Sequence, residues 1–342
     1  MKEVMSAFIL LAVVTIASAI PIGRTTICKL LEQSSVVLKG TVVEVRETAI
    51  SRPLWSFSMP GHKSMMAIVE PSYVLKGAPP RVPVEVLFPY ISSDAPFVAL
   101  REGYTYIFFL ATDGSLLKVA DLISGAIPVI SGPKPEHVSD IEGLIKSEFE
   151  KSLASSEPSV IMNALVALSE VGDTLSLENV NPLTNSTNES IRATACATAV
   201  ALGNWRKASD VVSFLESHMQ PSGSITLSNS EKGIDVGMLT RVLNRTTNPD
   251  SVPLYLQLLS RTKDPYILIE ILSAPCITSS KTATPIVSQF LDSENNDVAY
   301  AAYRALMTIK GSAYKAQHVF IKDKYHINTE LKSWSISNGE AQ

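Results

Sequence analysis

Hydrophobic and polar positions follow a strand-like period in the front part of the chain and change to a helical period behind Pro133 and Pro135. Residues 34–45 (SSVVLKGTVVEV) are rich in β-branched side chains, with Val42, Val43 and Val45 around Glu44, a composition that favours a pleated, half-buried surface. Gly40 interrupts this run and suits a bulge or sharp bend in a curled sheet. Residues 64–75 read as a second strand, ended by the turn sequence Lys76-Gly77-Ala78-Pro79-Pro80. In residues 82–88, Val82, Val84, Val86 and Phe88 share one face and Glu85 lies on the other. Residues 103–110 (GYTYIFFL) form a dense aromatic strand, and Asp113-Gly114 supplies a hairpin turn. Residues 116–120 and 127–130 complete the set, and residues 26–33 read as a short lead-in helix. Short strands at close spacing, with no helix between them, predict a small antiparallel barrel or sandwich.

Behind the prolines, residues 138–153 place Ile141, Leu144, Ile145 and Phe149 on one helical side, with Ser139 as N-cap and Glu142 completing a capping box. Similar units follow. Residues 157–171 carry Pro158 in the first turn and stop at Gly172; residues 188–202 open at Asn188 and stop at Gly203. Residues 264–273 open on Asp264-Pro265, and residues 296–309 end before Gly311. Partner helices are expected at 208–218, 252–260 and 284–291, and a further start near Glu231 fills the largest gap. A two-helix unit recurring every ~30–47 residues is the signature of a solenoid, whose hairpins bury their apolar faces only by stacking. Ala193, Ala195, Ala197, Ala299, Ala301 and Ala302 let neighbouring helices approach closely. The segments NESIRATACATAVALGN and NDVAYAAYRALMTIKG resemble the acidic-start, small-residue helix of HEAT-type repeats.

The front part carries a second resemblance. A Cys-bearing lead-in helix, VVLKGTVVEV, YVLKG at Tyr73 to Gly77, REGYTYIFFLATDG at Arg101 to Gly114 and SGAIPV at Ser124 to Val129 resemble the OB-like barrel of the netrin-module and tissue-inhibitor-of-metalloproteinases superfamily, in its exported bacterial form. The resemblance covers about a third of the chain and its motifs are structural. Those inhibitors use a processed N-terminal Cys, whereas Cys28 lies inside the lead-in helix, so the inhibitory mechanism is not carried over. The expected fold class is multidomain α and β: a small antiparallel, OB-like β-barrel followed by an α-solenoid of helical hairpins. The expected division is a signal peptide at 1–19, the barrel at 20–132, HEAT-like repeats at 138–311, and capping helices with a tail at 312–342.

The leader expectation rests on Lys2, the apolar run AFILLAVV from Ala7 to Val14, and Ala17-Ser18-Ala19 ahead of the cut. The run is shorter than the ~20 residues a spanning helix needs, so the mature chain is expected outside the cytoplasm, without stable membrane insertion. Of 342 residues, 46% are apolar and 18% charged, enough for two cores, and the net charge of −4 argues against a nucleic-acid protein. Cys28, Cys196 and Cys276 are too few for a disulfide scaffold and read as small buried residues. Five scattered histidines offer no metal-ligand spacing, and no nucleophile elbow or phosphate loop is present. The acidic run Asp292 to Asp297 lacks the Gly and Glu of a calcium loop and reads as a turn capping the next helix. Asn185, Asn188 and Asn244 head N-x-S/T sequons, which matter only in a eukaryotic secretory route.

These features point away from catalysis and cofactors and toward binding another protein, through the concave face of the solenoid and the open face of the barrel. The candidate partner-binding residues are Trp55, Phe57, Tyr104, Tyr106 and Trp205. An inhibitor or modulator of an exported protease is the first alternative, suggested by the barrel resemblance alone, and an unrecognised hydrolase is the second.

Overall fold

The computed structural model describes residues 25–48, 63–79, 82–90, 100–114, 116–121, 124–136, 138–218 and 236–310. Two compact units divide the chain, Met1–Leu144 and Ile145–Gln342. The first opens with helix α1 (Ile27–Gln33), followed by β1 (Val36–Glu47), β2 (Lys63–Lys76), β3 (Val84–Tyr90), β4 (Thr105–Asp113), β5 (Leu116–Val119) and β6 (Ala126–Val129). The strands are ordered β1-β2-β3-β5-β4, and β4 pairs again with β1 to close a five-stranded, OB-like barrel. β6 continues along β4 beside Thr105 to Phe108.

One seam departs from the antiparallel expectation. β3 and β5 run parallel, with Val86 opposite Leu117 and Leu87 opposite Lys118. The cause is arithmetic: around a ring of five strands, directions cannot alternate at every seam. The other four seams of the ring are antiparallel.

Alternation fills the interior with Val84, Val86 and Phe88 from β3 and with Tyr106, Phe108 and Leu110 from β4. β1 obeys the same rule only by bulging. Val42 pairs with Val69 and Glu44 with Ile68, which leaves Val43 unpaired and 44% exposed and brings both Val42 and Val45 against the core. At Gly40, where β1 also shifts register, a Cβ would stand 2.6 Å from Val69 Cγ1 and 2.9 Å from the Glu70 carbonyl. Only glycine lets β1 fold this closely over β2. Gly114, at φ 65°, turns β4 into β5 as the Asp113-Gly114 signal required.

The barrel also buries part of its outside. Helix α1 packs on β4 with Ile27 and Leu30 inward, and Val37, Ile107 and Phe109 are fully covered. Thr26 starts the helix by accepting from Lys29 N. Lys39 is 1% exposed: its Nζ donates to the Gly132 carbonyl at 3.3 Å and lies 5.8 Å from the centre of the Tyr73 ring. These bonds let a charged head lie under cover.

The second unit contains the rest of α2 (Ile141–Ser152), then α3 (Pro158–Val171), α4 (Leu177–Val180), α5 (Glu189–Ala201), α6 (Ala208–His218), α7 (Val236–Arg241), α8 (Val252–Arg261), α9 (Pro265–Leu272), α10 (Pro275–Thr278), α11 (Thr284–Gln289) and α12 (Asn296–Lys310). Helix α2 starts one residue later than the capping-box reading implies, because Asp140 Oδ1 accepts from Gly143 N at 2.6 Å. Contacts run serially along one row, α3 to α5, α5 to α7, α7 to α9 and α9 to α12. A second row runs α6 to α8 and α8 to α11, and the rows are joined at α5–α6, α8–α9 and α11–α12. This is the helical-repeat arrangement expected from the period. Alanines permit it: Ala193, Ala195, Ala197 and Ala199 of α5 are buried, and Thr198 Oγ1 donates across to the Leu165 carbonyl of α3 at 2.9 Å.

Three of the repeats open on the same polar device, whereas α3 opens at Glu157 and Pro158 without a side-chain cap. Asn188 Oδ1 accepts from Ile191 N, Asp264 Oδ1 from Tyr266 N and Ile267 N, and Asn295 Oδ1 from Asp297 N and Val298 N. Ser186 and Ser293, two residues before the first and last of these caps, accept the cap's own backbone N–H. The acidic run at Asp292 therefore does serve as a turn that caps α12.

Candidate functional site

The turns inside the first two repeats lie side by side. Gly172-Asp173 follows α3 and Gly203-Asn204 follows α5, and each leads into one turn of 3₁₀ helix, Thr174–Ser176 and Trp205–Lys207. Asn204 Nδ2 donates to Asn181 Oδ1 at 3.3 Å, and Cβ positions built at Gly172 and Gly203 fall 2.9 Å from Leu202 Cδ2 and 3.9 Å from Thr174 Cγ2. Consecutive repeats thus form a continuous edge.

That edge is anchored by charge. Asp173 Oδ1 accepts from Leu175 N and Ser176 N, while its Oδ2 accepts from Lys146 Nζ at 2.7 Å. The Lys146 hydrogen bond, aided by the backbone donors, holds the Asp173 carboxyl below the usual carboxylate range. Ser176 Oγ donates to Glu150 at 2.7 Å, which ties the turn to α2 a second time. With its backbone fixed in this way, Leu175 points outward and is 71% exposed. In the next turn Trp205 is half-buried, with the Arg206 guanidinium 5.5 Å from its ring centre, and Lys207 pairs with Asp210 at 3.2 Å. The edge therefore presents an aliphatic side chain, an indole and an exposed cation on a rigid backbone.

Of the residues read from sequence, Trp205 belongs to this edge. Tyr104 is half-buried against the barrel core, with Arg101 6.0 Å from its ring centre. Tyr106 is a correction: it is 4% exposed inside the barrel, and its hydroxyl accepts from Arg101 N at 3.0 Å. Burial raises its pKa. It shares parity with Phe108 and Leu110, so the strand turns it inward, away from any partner. Trp55 and Phe57 lie outside the described residues. Leu175 and Tyr266, the latter 57% exposed, were not among the sequence candidates. Both sit in the first turn behind a capping Asp, and a helical side chain covers the turn N-terminal to its own Cα. Nothing helical lies under a first turn, so this placement was a usable signal.

Several other polar and sulfur-bearing side chains among the described residues are held within the packing. Cys196 and Cys276 are buried thiols; burial pushes Cys196 up to about 11 and raises Cys276 as well. Cys28 differs from expectation in being exposed, on the outer side of α1, and the three cysteines are free thiols. His218 ends α6, its ring stacked on Phe214 at 4.2 Å and its Nδ1 2.9 Å from the Phe214 carbonyl. The other four histidines lie outside the described residues. Tyr255 donates to the Leu243 carbonyl at 3.1 Å and bonds Thr246 Oγ1 at 2.6 Å. Its pKa is raised by burial. Among the described residues no three His, Cys, Asp or Glu side chains converge to hold a metal, and no helix is long and apolar enough to cross a membrane.

No protein-family model and no curated protein matches the chain. Among solved structures, the complex of CpcE and CpcF of phycocyanin lyase from Nostoc sp. PCC7120 aligns over 54% of this chain and 71% of its own, at 17% identity and a TM-score of 0.34.

Proposed function

We propose that this chain is an exported, non-enzymatic binding or scaffold protein that recognises another protein through its helical-repeat edge. The observation that carries the reading is the juxtaposition of Leu175, Trp205 and Arg206 on two adjacent, anchored turns. Trp and Arg are the residue types in which interface energy concentrates, and a rigid backbone lowers the ordering cost of association. The apolar run ahead of Ala17-Ser18-Ala19 supports export. The netrin-like reading of the barrel remains part of the same proposal, with the barrel as a second contact surface.

The test is comparative capture. The purified chain is used as bait in its native envelope or culture fluid beside an Arg206→Glu, Leu175→Asp variant, and both baits are checked for unchanged circular dichroism. A partner held by the parent and lost at least about tenfold by the variant supports the edge as the site. Equal retention by both baits sinks this reading, as does turnover of a substrate panel by purified protein without a partner.

A further inference from the structure

The helical unit has two edges, and they carry opposite charge. In a stack of like hairpins, the connections inside the repeats share one edge and the returns between repeats share the other. The return edge carries Asp264, Asp292, Glu294 and Asp297 against Arg261 and Lys263. The connection edge, to which Leu175 and Trp205 belong, reverses this balance.

Three successive repeats each place an exposed cation in the connection between their two helices. Each time it sits on a single turn of 3₁₀ helix: Arg206 in Trp205–Lys207, Arg245 in Leu243–Arg245 and Lys281 in Lys281–Ala283. The backbone is fixed at each turn. Lys207 N donates to the Asn204 carbonyl at 3.1 Å, Arg245 N to the Val242 carbonyl at 3.2 Å and Ala283 N to the Ser280 carbonyl at 3.2 Å. Neighbouring connections are joined as well: Cys276 N donates to the Thr246 carbonyl at 3.0 Å, which lays the third against the second.

Among the described residues, Arg206, Arg245 and Lys281 form no ion pair. Nearby acids are committed elsewhere, Asp173 to Lys146 at 2.7 Å and Asp210 to Lys207 at 3.2 Å, while Asp250 stands exposed behind Arg245. A chain with a net charge of −4 thus keeps a row of uncommitted cations along one edge, with Leu175 and Trp205 at its first end.

The row selects among anionic partners. Three cations are few for nucleic acid, whose binding grows with each phosphate neutralised and, for single strands, with aromatic rings under successive bases. They also fall short of the ~4–8 clustered Lys or Arg of an anionic-lipid site. Peptide carboxylates suit the step better. Packed helices stand ~8–10 Å apart, and a polyproline II segment presents every third residue on one face at intervals of about 9 Å.

We propose that the partner segment bound at this edge is an acidic, extended peptide. Its carboxylates meet Arg206, Arg245 and Lys281, and an apolar side chain of the same segment meets Leu175 and Trp205. This rests on the binding edge proposed above and names the chemistry of what that edge takes.

The test titrates the purified full chain with a fluorescent peptide that repeats Glu-Pro-Leu and reads anisotropy, beside the same peptide with Gln for Glu, oligothymidylate and phosphatidylserine vesicles. The Glu peptide is expected to bind at least about tenfold more tightly than the Gln peptide, and to weaken as salt is raised. Arg245→Glu and Lys281→Glu should each weaken it about fivefold or more at an unchanged melting temperature, and Asp250→Asn should tighten it. Equal binding of the Glu and Gln peptides overturns the proposal, as does indifference to both charge reversals or tighter binding of the oligonucleotide or the vesicles. The two readings fail separately. A captured partner lost by the Arg206→Glu, Leu175→Asp bait but kept by an Arg245→Glu, Lys281→Glu bait leaves the edge standing and sinks the acidic segment. A Glu peptide released by Arg245→Glu, with capture equal for the parent and the Arg206→Glu, Leu175→Asp bait, supports the acidic-peptide row and sinks the Leu175–Trp205 reading.

Discussion

The two units hold themselves together in different ways. In the barrel, β1 is bonded to β2 along its length and to β4 over Val36 to Thr41, so partners far apart in sequence close a ring. In the helical unit, first-row helices touch the first-row helix of the next repeat, and the two rows are joined at α5–α6, α8–α9 and α11–α12. A ring has no free edge to lose and tends to open as a whole, whereas a stack of nearest neighbours can loosen locally. The barrel also depends on long-range closure, which is slow to form, while each hairpin is built from local contacts.

The sharpest way to break this contrast is a cavity in each unit. Phe108 is fully buried in the barrel core, and Phe108→Ala is expected to cost about 3–5 kcal/mol. Hydrogen exchange should then accelerate in all five strands of the ring together. Ile271 of α9 is equally buried, and Ile271→Ala is expected to cost about 2–5 kcal/mol. Its effect should stay with α9 and its neighbours α7, α8, α10 and α12, leaving α3 and α5 at parental exchange rates. Exchange confined to β4 in the first variant, or spread evenly through the stack in the second, would remove the distinction.

The same contrast explains what could be read from the sequence. Helix positions were legible because cap and period act locally: Asn188, Asp264 and the Gly172 and Gly203 stops mark elements that the structure places within a residue or two. Strand positions were legible for the same reason, as with Val84, Val86 and Phe88. The parallel β3–β5 seam was not, since it follows from ring closure rather than from any residue. The outer layer under α1 was hidden because β1 is buried on both faces from Val36 to Gly40, which erases alternation there. Tyr106 was misplaced although its parity with Phe108 was visible; an aromatic type suggested contact, and the period decided burial. The edge at Leu175 and Trp205 needed two turns to be brought together by stacking, which no single turn encodes.

Smaller effects sharpen the helical side. Asp264→Ala removes the acceptor of Tyr266 N and Ile267 N and is expected to cost about 1 kcal/mol, within the 0.5–2 kcal/mol range of N-cap losses. The denaturant midpoint of the helical unit should fall with no change in slope, and the barrel strands should keep their exchange rates.

The subtlest expectation concerns Glu270, whose carboxyl is half-buried on α9 and accepts from Asn244. Burial raises its pKa, and the Asn244 hydrogen bond and the Arg241 charge offset this only in part. A carboxyl whose folded pKa is raised binds its proton more tightly in the folded state than in the unfolded one. The stability this gives is fully present below the unfolded pKa and is lost as pH rises through the folded value, so ionised Glu270 opposes folding at neutral pH. Glu270→Gln keeps an acceptor for Asn244 and cannot ionise. Its denaturant midpoint should therefore exceed the parent's at neutral pH, and the two should converge as pH falls below the ordinary carboxylate range. A parent that is the more stable at neutral pH would mean that Arg241 and Asn244 outweigh burial, and the helical unit would then hold an ion pair where we place a strained acid.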